Sequence, residues 1–424
     1  MGSRTWRGLA VLVAATIIAA VVAACGGGGS ASGGGATLGV IAQAGGPGDA
    51  LVKLAKAYEA SHAGIKVKVT LLQYDNVRER SIADFTSGKG AYDVVAFDYL
   101  WLKEYARGKF IVPLNDLVAK AGTSLAKDDF FKAYLDYGTL ENKLYGLPWL
   151  GAVYMLYYRK DLLDAAGIAV PKTWDEYAAA AEKLKSANVA GSTLIGKRDD
   201  PLVDEFWSIA WSYGAQIYSG SQATMDSPEA LKALEVWQRI YKTAPGDALS
   251  ADWPAAAATF SQGKAALMLN FSDTSVSLLG SDSTVADKVG FAALPTGPTG
   301  KGTPNLGGWG IGVSASSKHQ QEAFDFLAWA TASAQQKTGL ADGGSATRAS
   351  VLSDPALQAK NPYFAAALEN FKEAVPFPQA SNWVAWEAAM APPMSEGLGG
   401  QKPLAQALKE ANQRLDVEVK KEFG

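Results

Sequence analysis

Leu38-Gly39-Val40-Ile41-Ala42-Gln43 is a short apolar run that ends in an amide. Two further runs follow at regular spacing: Ile65-Lys66-Val67-Lys68-Val69-Thr70-Leu71, which alternates, and Asp93-Val94-Val95-Ala96-Phe97-Asp98, which ends in an acid. Alternation and β-branched content make each a strand. Between them the chain shows helical spacing, at Leu51, Leu54, Ala55 and Tyr58 and again from Val77 to Phe85. Ala44 to Gly48 reads as a loop, with Asp49 as the helix N-cap. Strand, helix, strand, helix, strand at these lengths means an α/β fold with a parallel sheet. Ligands of such sheets sit past the carboxyl ends of the strands. Gln43, Tyr74 and Asp98 all lie there. The Gly45-Gly46-Pro47-Gly48 turn lacks both the dinucleotide spacing and the P-loop Lys.

Working outward, 424 residues exceed one ordinary core, so two domains are expected. A net charge of −3 leaves no basic stripe for nucleic acid. Arg4 and Arg7, the apolar run Leu9–Val22 and then Ala23-Ala24-Cys25 form a signal peptide over residues 1–24. Val22-Ala23-Ala24-Cys25 resembles the bacterial lipobox, which implies lipidation of Cys25, the only cysteine. A Gly/Ser tether spans 25–36. The reading is of an exported protein held by lipid at the outer face of the cytoplasmic membrane.

Further along, Ala152–Tyr158, Ala265–Leu269 and Val289–Leu294 read as buried strands. Thr173 with Glu176 forms a capping box, and Ser227 with Pro228 opens another helix. One long helix is expected from Gln320 to Leu340, and breaks at Pro376-Phe377-Pro378 and Pro392-Pro393. Asn305-Leu306-Gly307-Gly308-Trp309-Gly310-Ile311 places a Trp among glycines, where one ring face is left open to act as a platform.

The order of motifs resembles the extracellular solute-binding proteins of carbohydrate ABC importers, the group that contains maltose-binding protein. Asn142–Trp149 with Leu156–Leu163 is similar to its first interdomain crossing. Pro171-Lys172-Thr173-Trp174-Asp175-Glu176, Phe260–Met268 and Gly307–Ile311 resemble three later motifs. The resemblance implies a two-lobed fold with a three-crossing hinge. Lobe 1 then takes 37–147 plus 313–342, and lobe 2 takes 148–312 plus 343–424. It also implies a monomer that clamps a small sugar or polyol, needs no cofactor or metal, and delivers to ABC permease subunits. A polyhydroxyl ligand needs planar acceptors and donors plus aromatic faces. The site set is then Gln43, Tyr74, Asp98, Trp149, Trp207, Asn270, Asp273, Gly308, Trp309, Arg348 and Trp383.

Where the maltose-binding pattern has a Trp loop, this chain reads Asn270-Phe271-Ser272-Asp273, which points to a smaller or more polar ligand. Gly343–Arg348 looks like the sorbitol and mannitol binders. The rival class is a lipid-anchored glycan hydrolase, which needs two opposed carboxylates. His62 and His319, the only histidines, have no triad or zinc spacing, and no GxSxG elbow occurs. No catalytic residue is therefore assigned.

Overall fold

The computed structural model describes residues 35–424. The signal peptide, Cys25 and most of the tether lie outside them. The strands are β1 (Ala36–Gln43), β2 (Ile65–Leu72), β3 (Val94–Asp98), β4 (Leu147–Arg159), β5 (Ala190–Ser192), β6 (Ala265–Phe271), β7 (Val289–Ala292) and β8 (Leu306–Val313). The helices that matter for the site and core are α1 (Gly46–Ser61), α2 (Tyr74–Ser87), α3 (Trp174–Leu184), α4 (Asp200–Ala210), α5 (Pro228–Tyr241), α6 (Trp253–Ser261), α7 (Gln320–Ala330), α8 (Trp383–Leu398) and α9 (Leu404–Phe423).

The strands form one mixed sheet, in the order β2-β1-β3-β8-β4-β6-β5, with β7 also on β4. The β2-β1-β3 arm is parallel, as the three opening runs require. The joint between the arms is antiparallel. β8 pairs with β3 from Trp309 to Val313 and with β4 from Leu306 to Ile311. β4 continues past Val153 to pair with β6 and β7. Two long strands thus carry the sheet from one arm to the other. Burial explains the composition of β4: twelve of its thirteen residues are buried, Tyr158 excepted, so it reads as a continuous apolar run rather than an alternating one.

Glycine lets these strands cross closely. At Gly312 a Cβ would sit 2.5 Å from the Tyr145 carbonyl oxygen, and at Gly308 one would sit 2.7 Å from that of Leu150. A bulge at the Trp309/Gly310 step leaves Trp149 without a partner across the ladder.

The capping box at Thr173 and the Ser227 cap are both present. Three expectations differ. α1 starts at Gly46, so Pro47 lies in the first turn, where a missing N–H costs nothing, and Gly45 is the N-cap in place of Asp49. The single helix expected over 320–340 is two: α7 ends at Ala330, and a second begins at Ser333. The break lets the Thr331 carbonyl accept from Arg348 Nε at 2.6 Å. α8 runs through Pro392 and Pro393, because most of its length, including Trp386, Met390 and Met394, is buried against neighbouring helices. Packing there outweighs the lost backbone bond.

Glu205, buried in α4, accepts from Trp237 Nε1 and Ile195 N, both at 2.9 Å. Burial nevertheless pushes its carboxyl up to about 8. A carboxyl raised in the folded state contributes stability that is full below its unfolded value and is lost as pH rises through the folded one. The melting temperature of the ligand-free protein should therefore fall between about pH 4.5 and 8. Glu205→Gln should flatten that slope. A slope unchanged in the variant would remove Glu205 as its source.

Candidate functional site

A cavity of about 730 Å³ opens at the carboxyl ends of the strands, where the two arms meet. That size suits a small organic ligand. The register of β8 on β3 sets its floor. Trp309 is paired directly with Asp98, so the aromatic face and the acid arrive together. Trp309 is held edge-on by Trp101 at 5.1 Å and Tyr74 at 5.7 Å between ring centroids. Tyr74, at the start of α2, donates to Asp98 Oδ2 at 3.2 Å, and its hydroxyl lies 3.4 Å from Asp200 Oδ2. Leu100 N donates to Asp98 Oδ1 at 2.9 Å.

Of the residues expected from the sequence, Gln43, Tyr74, Asp98, Asn270, Asp273, Gly308 and Trp309 line this cavity. The other four sit elsewhere, each for a physical reason. Arg348 is 1% exposed. Its guanidinium donates to the carbonyls of Thr331, Ala126 and Leu125 at 2.6–3.0 Å and covers the Phe130 ring at 3.7 Å. Three of its five donors are spent stapling loops together, it pairs with Asp129, and its burial keeps it out of the cavity lining. Trp207 is fully buried between Phe206 and Trp211, a core position on an all-buried helix. Trp149, displaced by the bulge, lines a separate small recess with Leu54, Gln336 and Ser345. Trp383 stands behind the wall. Its Nε1 donates to Asp200 Oδ1 at 3.2 Å, so it positions an acid rather than a ligand.

Several lining residues escaped the sequence reading. Asp200 and Asp204 are one helical turn apart on α4 and both face the cavity. Two acids at i and i+4 on a mostly apolar helix were the available signal. Asn305 Nδ2 donates to Asp204 Oδ1 at 2.7 Å. Trp253, Phe271 and Phe377 add aromatic wall, so the Asn270–Asp273 segment keeps an aromatic surface despite losing the family's Trp. Asn270 itself is fully buried. Its Nδ2 donates to the Trp253 carbonyl at 3.1 Å and its Oδ1 accepts from Phe271 N at 2.8 Å, so it fixes that wall.

The site is acidic. Burial, then the neighbouring Asp200, raises Asp98 to about 8. Burial also raises Asp200, Asp204 and Glu387, the last lying against Asp200 from α8. The Asp98 carboxyl, raised to about 8, can thus donate as well as accept near neutral pH. Among the described residues no group of acids, histidines or cysteines is placed to hold a metal ion, and no helix is long and apolar enough to cross a membrane.

A sheet bent into two arms, with an aromatic and carboxyl-lined cleft at its joint, defines a two-lobed solute-binding fold. The sequence matches the family described as "Bacterial extracellular solute-binding protein" over residues 42–337, and the chain belongs to that family. Among solved structures it is similar to an ABC transporter solute-binding protein of Agrobacterium radiobacter K84 in complex with ribitol. The TM-score is 0.84 and the identity 27%, over 92% of this chain and 99% of that one. It is also similar to one of Agrobacterium vitis S4 with bound D-mannitol (TM-score 0.81, 26% identity, 91% and 98% covered). A mannitol-binding protein of Pseudomonas aeruginosa is 29% identical over 337 residues, covering 76% of each chain.

Trp309 is 4% exposed and packed on three rings. Trp309→Ala should therefore cost stability, by about 3 kcal/mol as in large-to-small core changes, as well as affinity. Tyr74→Phe separates the two effects. It keeps the ring and removes the hydroxyl bonded to Asp98, and should weaken ligand binding about tenfold while shifting the ligand-free melting temperature little. Unchanged affinity in that variant would place the ligand away from Asp98.

Proposed function

We propose that this protein captures a small polyol or a mono- or disaccharide in the cleft and presents it to the permease subunits of an ABC importer. The observation that carries the reading is the Asp98–Trp309 pair. It places a carboxyl acceptor beside an aromatic face, the two surfaces that a polyhydroxyl chain offers contacts to. Family membership, and the polyol ligands of the similar proteins, support the same class. The ligand contacts assigned are Gln43, Tyr74, Asp98, Gly308 and Trp309 from the sequence set, with Asp273 at the rim, joined by Asp200, Asp204 and Asn305.

The lobes take residues 37–147 with 313–342, and 148–312 with 343–424. Closure turns on the crossings of β4 and β8, a hinge motion that buries the ligand between the lobes. The mature chain is tethered by lipid on Cys25, and the protein works by binding alone. Against hydrolysis stands the placement of the acids. Asp98 and Asp200, from the two arms, both lie within hydrogen-bond reach of one Tyr74 hydroxyl, which occupies the space between them that a glycosidase leaves for the scissile bond.

A thermal-shift panel of ribitol, mannitol, sorbitol, glucose and maltose tests this. A true ligand at a hundredfold excess over its Kd should stabilise the protein by about 2.7 kcal/mol. No shift with any member, together with turnover of a chromogenic glycoside, would overturn the reading.

A further inference from the structure

The cleft is one-sided in charge. Among the described residues, Asp98, Asp200, Asp204, Asp273 and Asp342 line it, and Lys53 is the one lining cation. Lys53 is already paired with Asp342 at the rim. Among the described residues no arginine lines the cavity. Of the helix N-termini at the wall, those of α1, α4 and α6 carry Pro47, Pro201 and Pro254 in the first turn and so each lacks an N–H that an anion would use, while α2 opens at Tyr74 without a proline. A separate observation points the same way. Asn305, 2% exposed and lining the cavity, has its amide nitrogen committed to Asp204, and its Oδ1 is left with no partner. That buried vacancy is for a donor. Aromatic rings stand beside the acids, with Tyr74 5.7 Å from Trp309 and 6.0 Å from Trp253. Carboxylates, a buried carbonyl oxygen with no partner among the described residues and π faces together are the surroundings that favour an ammonium group.

We propose that the ligand of this cleft carries a positively charged amine on its hydroxylated frame, held where Asp98, Asp204 and Asn305 converge. This deepens the polyol and sugar reading and rests on it. The amine end sits among the crowded carboxyls, and the hydroxylated remainder lies along Trp309. Sugar acids and sugar phosphates are rejected, because their charge meets only acids there.

The groups facing Asp98 are Tyr74 from α2, Asp200 and Asp204 from α4 and Glu387 from α8. None is cationic, so an arriving ammonium expels protons to solvent. Affinity for the amine should then rise from about pH 6 to pH 8, as the competition from protons falls.

Titration calorimetry on the intact protein with two matched series tests the proposal: sorbitol, 1-amino-1-deoxysorbitol and gluconate; glucose, glucosamine and glucuronate. In at least one series the amine should bind ten or more times tighter than its neutral parent, with the acid showing no binding. The heat of amine binding should change with the ionisation enthalpy of the buffer. The double variant Asp200→Asn with Asp204→Asn should cut the amine's advantage to about threefold or less. If a neutral parent binds and its amine binds no tighter, or an acid binds equally well, the inference is wrong and the polyol reading stands. If none of the six binds, the inference also falls. The wider sugar panel then decides whether the polyol reading falls with it.

Discussion

The antiparallel register that sets Trp309 on β8 against Asp98 on β3 is the constraint on which the rest of this molecule depends. It joins the two arms of the sheet and lays the floor of the cleft at once. A slip of one residue would turn Trp309 and Asp98 to opposite faces. Several features guard against that slip. The glycines at 308 and 312 admit only a closely approaching neighbour. The bulge at the Trp309/Gly310 step absorbs the extra residue of β4. Tyr134 ties β4 to β8 by donating to the Ala152 carbonyl at 3.0 Å, with Gly307 O also 3.2 Å from its hydroxyl.

From that floor the acidity of the site follows. Asp98 ends a fully buried strand, and α4 brings Asp200 and Asp204 against it from the other arm. Bringing like charges together out of water favours their protonated forms. The cluster persists because each member is bonded: Asp98 to Tyr74 and Leu100, Asp200 to Trp383, Asp204 to Asn305. One face of α4 thus presents Asp200 and Asp204 to the cleft, and the rest packs in the core, where Glu205 accepts from Trp237 and Ile195. Trp207 and Trp383, both large and near the cleft in sequence logic, serve the core and the acids respectively.

Much of this was legible in the chain itself. The three opening strands declared a parallel arm, and Gln43, Tyr74 and Asp98 sit where strand ends predict. Trp309 among glycines was legible as a cavity-lining residue, but Tyr74, Trp101 and Trp149 pack on its ring and leave it 4% exposed, far less open than its sequence neighbours suggest. Residues whose role depends on distant partners were not legible. Arg348 resembles a ligand donor in sequence, yet its bonds go to carbonyls more than two hundred residues away, at Leu125 and Ala126. Asp200 and Asp204 were hidden by the aromatic residues around them, which drew attention to Trp207. The helix break at Thr331 and the continuity of α8 through two prolines are likewise set by tertiary packing, which overrides local propensity.

The most direct measurement is a crystal structure grown with whichever polyol or aminopolyol binds tightest. The account predicts the ligand's carbon chain or ring against the Trp309 face, with a hydroxyl or amine within hydrogen-bond reach of Asp98 and of Asn305 Oδ1. A ligand bound outside the cleft, or one in the cleft that touches neither Asp98 nor Trp309, would contradict it.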